Sequence, residues 1–259
     1  NEVGKPIGDL LDGLYAITSS GLSGKEALDT LRIAAKSSAI GMGEVDVIAK
    51  TLTATINAYG KENITAEKAM NVFFNTAKLG AVDVKDLAPA MGRVIPIASA
   101  MGVSIDQVGG AVAAMSLQGI GASDAVTSLV SIMNAMLKPS GEAEKLLEGV
   151  GLSMEQVRKV ARNDFSAAIN LVSTAFKGNE AAISSVLGRV EGLKGFLAIS
   201  GQNFERYSKI VHETGTEVQN FGKSFNEVGT TSAHKWDVFT AQLANIKLAI
   251  GEATIALIY

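Results

Sequence analysis

A short punctuation recurs along the chain: a glycine, an apolar residue, then a Ser, Thr or Asp that opens a run of helical periodicity with an acid or Gln in its first turn. It reads Gly21-Leu22-Ser23-Gly24-Lys25-Glu26, Gly102-Val103-Ser104-Ile105-Asp106-Gln107 and Gly151-Leu152-Ser153-Met154-Glu155-Gln156. Glycine takes the left-handed turn that closes one helix, the hydroxyl satisfies free amides of the next, and the apolar residue between them staples the corner. Each copy therefore predicts a helix-corner-helix joint. The Ser and the Glu or Gln three residues on predict a capping box. Weaker copies stand at Asn63-Ile64-Thr65-Ala66-Glu67 and Gly80-Ala81-Val82-Asp83, with glycine-containing breaks at Gly41-Met42-Gly43 and Gly119-Ile120-Gly121. Breaks thus fall about every 20 residues.

Helices are expected near 6–19, 23–39, 44–59, 65–79, 84–100, 104–118, 122–137, 141–149, 153–176 and 180–200. Connections this tight make sequence neighbours antiparallel. Apolar residues are 47% of the chain but aromatics only 5%, so burial must come from Ala, Leu, Ile, Val and Met at close range, which favours helices over sheets. The expected fold class is all-α: a multi-helix array of antiparallel hairpins over residues 1–200, then heptad-patterned, coiled-coil-like helices over 201–259. The spacing is compatible with helical repeats, but the apolar positions do not superimpose from one unit to the next.

From residue 204 the pattern changes. Phe204, Tyr207, Val211, Thr214, Val218, Phe221, Phe225 and Val228 form a heptad seam, with one Thr in it. After Gly229-Thr230-Thr231-Ser232 a second seam starts out of phase with Trp236, Phe239, Leu243, Ile246, Ile250, Ala253 and Leu257, marking a stutter or a turn. Gly215, Gly222 and Gly229 lie one heptad apart beside the first seam. Either they allow close approach of a partner helix or they mark a weakly helical segment, since each costs about 1 kcal/mol against Ala.

Between Asp106 and Lys138 the sole charge is Asp124, and Gly, Ala, Ser and Met fill two segments. A central helical hairpin buried on most sides is the expected reading. The alternative is a membrane-active hairpin over 107–137, because small residues let helices pack closely in lipid. Gln118, Asn134 and Asp124 weigh against lipid. No run of 18 or more purely apolar residues and no signal peptide is present.

No catalytic, cofactor-binding or metal residue is assigned. His212 and His234 are the two histidines and have no acidic neighbour at ligand spacing. With no cysteine and no Gly-x-Ser-x-Gly elbow, nucleophilic hydrolysis is not expected. Asp83 with Asp86, and Glu142 with Glu144, stand at predicted helix starts, where free amides and the helix dipole account for acids. Gly41-Met42-Gly43 and Gly119-Ile120-Gly121 follow no strand and lack the Lys of a phosphate loop. The net charge is −3 with mixed signs, so sequence-specific nucleic-acid binding is not expected. Asn1 at the start and the apolar Ile255-Ala256-Leu257-Ile258-Tyr259 at the end suggest a piece of a longer protein.

Particular phrases resemble the core region of phage tail tape-measure proteins over roughly residues 20–200. One is Gly80-Ala81-Val82-Asp83-Val84-Lys85-Asp86-Leu87, leading through Met91-Gly92-Arg93-Val94-Ile95-Pro96 to Ala100-Met101-Gly102-Val103-Ser104. Another is Gln118-Gly119-Ile120-Gly121-Ala122-Ser123-Asp124-Ala125, then Lys138-Pro139-Ser140 and Gly149-Val150-Gly151-Leu152-Ser153. The chain departs from the family where Val126-Thr127 replaces a frequent Gly-Thr, and where its Leu-Gly corner reads Val150-Gly151. The resemblance implies a non-enzymatic structural protein made in the host cytoplasm and built into the virion tail. It would lie in the tail lumen, set tail length and leave during genome delivery. Implied partners are the tail tube protein, tail assembly chaperones and tail-tip or initiator proteins, with homo-oligomers through the heptad segment. The membrane-active alternative would add host membrane contact. A peptidoglycan hydrolase activity has precedent only in domains that some family members carry elsewhere.

Overall fold

The computed structural model describes residues 7–177 and 179–216. The expected corners delimit α1 (Ile7–Ser19), α2 (Gly24–Ala39), α3 (Val45–Tyr59), α4 (Ala66–Gly80), α5 (Val84–Met101), α6 (Ile105–Ser116) and α7 (Ala122–Leu137). Beyond them come α8 (Gly141–Gly149), α9 (Met154–Asn163), α10 (Phe165–Ala175), α11 (Glu180–Leu187) and α12 (Val190–Ile199). A 3-10 turn (Gly201–Asn203) then leads into α13 (Phe204–Thr216). The described residues contain no strand, and the fold class is all-α as expected.

One corner chemistry repeats six times. Gly21, Gly41, Ala81, Gly102, Gly119 and Gly151 have positive φ. The next residue donates its amide to the carbonyl five positions back: Leu22 to Ile17, Met42 to Ser37, Val82 to Ala77, Val103 to Ala98, Ile120 to Met115 and Leu152 to Leu147. This is the Schellman closure, and its apolar residue packs inward. Leu22, Met42, Val82, Val103 and Ile120 are buried, while Leu152 is partly buried against the core. On the following side, Thr65, Asp83, Ser104, Ser140, Ser153, Asp164 and Asn179 cap helices with their side chains.

Four details differ from the expectation. The helix expected over 153–176 breaks at Asp164, whose backbone is extended (φ −150, ψ 102) and whose carboxylate accepts from the Ala167 amide at 3.0 Å and the Ser166 hydroxyl at 2.6 Å. The helix expected over 180–200 breaks at Gly188, which takes a left-handed φ of 68°. Of the three expected capping boxes, Ser153 with Gln156 forms both bonds, Ser104 caps while Gln107 points elsewhere, and Ser23 makes no side-chain cap bond. At Gly80-Ala81 the alanine, not the glycine, takes the left-handed turn, because Gly80 is held inside α4 by packing.

Helices stack on their second neighbours in two layers. α1, α3, α5 and α7 make one layer, and α2, α4 and α6 make the other. Tight corners force this arrangement: each hairpin crosses from one layer to the other and the next stacks beside it. α12 then extends the first layer beside α7, and α13 extends the second beside α6. α8 to α11 form an excursion in which α8 pairs with α11 and α9 with α10. One continuous core runs through all of this, with Phe73, Phe165, Phe196 and Tyr207 its largest fully buried side chains. α5 keeps Pro89 and Pro96 inside its span. Both are exposed, so the carbonyls of Lys85 and Gly92 that lose their helical donor lie on the water-facing side.

Candidate functional site

The expected central hairpin is α6 and α7, with α6 the most enclosed segment. Ile105, Val108, Gly109, Gly110, Ala111, Val112, Ala113, Ala114 and Met115 are all buried. A helix surrounded in this way can accept neighbours on every side only if its side chains are small. Where α4 crosses, a Cβ on Gly80 would lie 2.6 Å from the Ala113 Cα. On the facet covered by α13, a Cβ on Gly110 would lie 2.6 Å from the Val211 Cα and 3.1 Å from its backbone nitrogen. A Cβ on Gly109 would meet the Thr76 hydroxyl and come within 3.2 Å of Thr214 Cγ2. Gly109 and Gly110 thus form a cradle in which α13 rests its Val211 backbone on Gly110 and its Thr214 methyl on Gly109.

Seam residues fill this cradle. Tyr207 and Thr214 are buried, and Phe204 and Val211 pack against the core, joined by Ile210, which the heptad pattern leaves off the seam. The Asn75 side-chain amide donates to the Thr214 carbonyl at 3.3 Å. The Tyr207 hydroxyl is fully buried, has no hydrogen-bond partner among the described residues, and is pushed above its ordinary pKa by burial, with the charge of Asp164 adding. The remaining seam positions, the second seam, His234, Gly222 and Gly229 lie outside the described residues.

Polar groups around α6 act as fasteners. Gln107 Oε1 accepts the Phe165 amide at 3.0 Å, and its Nε2 donates to the Asn163 carbonyl at 3.1 Å, clamping the α9–α10 break. The Tyr59 hydroxyl donates to the Val103 carbonyl at 2.9 Å. Burial raises the Asp106 carboxyl above its usual range, and the nearby ammonium of Lys68 opposes this. Arg158 donates to the carbonyls of Met136 and Leu137, both at 3.4 Å, at the C-terminus of α7, where the helix dipole favours a cation.

The groups weighed for chemistry from the sequence stay apart. His212 is exposed on α13. Asp83 caps α5 by accepting from the Lys85 amide at 3.1 Å, and Asp86 is exposed in the same first turn. Glu142 and Glu144 are exposed in the first turn of α8. Gly41 and Gly119 close corners. Among the described residues no group of three or more His, Cys, Asp or Glu could hold a metal, and no helix is long and apolar enough to cross a membrane. The Gln107 clamp and the Gly109-Gly110 cradle were not anticipated. Two adjacent glycines inside a helical run were the available signal for the cradle.

Comparison with known proteins finds relatives among phage tail proteins. Residues 1–188 match a family model described as phage-related minor tail protein. The chain is 26% identical over 253 residues to a probable tape measure protein of Clostridium phage phiCD119, covering 92% of this chain and 26% of that protein. It is 26% identical over 141 residues to the tape measure protein of Pneumococcus phage Dp-1, covering 54% of this chain and 12% of that one. The chain therefore spans about a quarter or less of the length of these relatives. No solved structure matches the chain.

Proposed function

We infer the function from one premise: the chain belongs to the phage-related minor tail protein family. Its role is structural, within the phage tail. In our reading it is a segment of a tape-measure protein that occupies the tail lumen, sets tail length during assembly and takes part in genome delivery, without catalytic activity. Residues 1–200, with α13 packed onto them, form its folded helical body, and the heptad-patterned segment over 201–259 begins a coil through which copies associate. Tube, chaperone and tail-tip or initiator proteins are its partners, and it resides in the virion after synthesis in the host cytoplasm.

A single observation carries this reading: the likeness to a probable tape measure protein runs over 253 residues, through both the helical body and the heptad segment. Physical chemistry agrees with it. Helix advances about 1.5 Å per residue, so a heptad-patterned helix converts sequence length into distance along an axis. The test is sedimentation of the chain across a concentration series. The parent chain is expected to form oligomers, and Val218→Asp with Phe225→Asp, which place charges in the seam, to leave it monomeric. A parent chain that stays monomeric at the highest concentration would overturn the association claim.

A further inference from the structure

The seam face of α13 is already in use. Tyr207 and Thr214 are buried, Val211 rests its backbone on Gly110, and Phe204 packs on the core. A coiled coil needs these same positions to point at a partner helix. Docking on α6 and pairing through residues 204–216 therefore exclude each other.

Specific features weaken this docking, although it buries Tyr207 and Ile210. At Gly110, which meets the Val211 backbone, and at Gly109, which meets the Thr214 methyl, α6 contributes no side chain to the contact. The side chain of Asn75 reaches the Thr214 carbonyl at 3.3 Å, near the long end for a hydrogen bond. The Tyr207 hydroxyl is desolvated without a partner among the described residues, which costs free energy in the docked state and none once it is hydrated. Among the described residues, the ion pair of α13 joins Lys209 to Glu213 within the helix itself, at 3.8 Å. Its connection to α12 is the 3-10 turn with Gly201 at φ +57, where Asn203 accepts from the Gln118 amide at 3.1 Å and donates to the Leu197 carbonyl at 3.3 Å, so α13 would swing from this fastened turn.

We propose that α13 is a releasable latch: it detaches and re-docks as a unit while α1 to α12 stay folded, and its seam joins a second copy of this chain only from the detached state. The second half rests on the reading of 201–259 as a self-associating segment; the first half does not.

Two matched threonines give a direct test, because the chain has no cysteine. Thr214 on α13 and Thr53 on α3 are 2% and 1% exposed, and each donates its hydroxyl to the carbonyl four residues back at 2.8 Å. Thr214→Cys and Thr53→Cys, made separately in the full chain, are labelled with a thiol reagent under native conditions. The thiol at 214 is expected to react at least ~100-fold faster than that at 53, as local opening outpaces global unfolding. Equal rates overturn the latch. Amide hydrogen exchange of the unsubstituted chain guards against an effect of the substitution: residues 207–214 should exchange well before 108–115, and simultaneous exchange counts equally against the proposal.

The second half is tested with a lock. A Cβ on Gly215 would lie 3.5 Å from that of Asp106, within the disulfide span of about 3.5–4.5 Å. In the Asp106→Cys, Gly215→Cys chain, oxidation is expected to abolish association through residues 204–216 and reduction to restore it, read by sedimentation and by cross-linking within that stretch. Equal association there in both forms overturns the exclusion. If neither form nor the parent associates at all, the coil reading falls, while the labelling ratio still decides the latch.

Discussion

Gln107 holds Phe165 as a neighbouring peptide group would: one side-chain atom accepts the Phe165 amide at 3.0 Å while the other donates to the Asn163 carbonyl at 3.1 Å. α9 and α10 are separated by a break, and this amide on α6 satisfies main-chain groups that the break leaves open. Gln107→Ala removes both bonds: the exposed Asn163 carbonyl can turn to water, while the part-buried amide of Phe165 loses its acceptor. The expected cost is about 1–3 kcal/mol, read as a fall in Tm of roughly 2–4 °C per kcal/mol for a chain this size. Gln107→Glu keeps the acceptor and loses the donor, so its Tm should fall between the two. An unchanged Tm in Gln107→Ala would show that the clamp is idle.

Glycines of the same composition should respond with opposite signs. Gly80→Ala drives a methyl to 2.6 Å from the Ala113 Cα, forcing α4 and α6 apart, with an expected loss of about 1–3 kcal/mol. Gly149 sits at the end of α8 with nothing within 4 Å of its missing Cβ and no positive φ, so Gly149→Ala should gain about 0.4–1 kcal/mol. Denaturant midpoints of the two variants moving in the same direction would contradict the packing account.

Removing a buried hydroxyl usually weakens a protein by breaking its hydrogen bond. At Tyr207 no such bond exists among the described residues, so Tyr207→Phe is expected to raise stability by about 1 kcal/mol. A clear drop in the thermal midpoint would contradict this reading of the hydroxyl.

The raised pKa of Asp106 fixes the sign of a pH effect. Burial disfavours its charged form in the folded state, so its favourable contribution is full below the unfolded value near 3.8 and is lost as pH rises through the higher folded value. Asp106→Asn should therefore be more stable than the parent at neutral pH, with the difference closing as the pH drops to the ordinary aspartate range. Paired melts across pH 3 to 8, a range of roughly five units around that value, provide the check. A difference that does not vary with pH would remove Asp106 from the account.

Helix positions were legible because their ends are chemically explicit: Gly102 with Ser104, and Gly151 with Ser153, state a stop and a start two residues apart. Asp164 was missed because an acid inside a helical pattern reads as a solvated face, and its extended backbone follows from the cap it makes on α10. Gly188 was missed because one glycine within a periodic run is tolerated. The clamp was hidden by a competing local role: Gln107 stands where a capping box would use it, and only the approach of the α9–α10 break offers it better partners. The cradle was hidden for another reason. Gly109 and Gly110 announce a close crossing, but nothing local says that Val211, about a hundred positions on, is what crosses.

The length of the tail tests the account most directly. In a phage carrying the full-length gene, in-frame removal of four heptads, roughly 28 residues, from this heptad-patterned stretch should shorten the tail by about 42 Å at ~1.5 Å per helical residue. Tails measured by electron microscopy at that shorter length would support a structural ruler. Well-formed tails of parental length would contradict it.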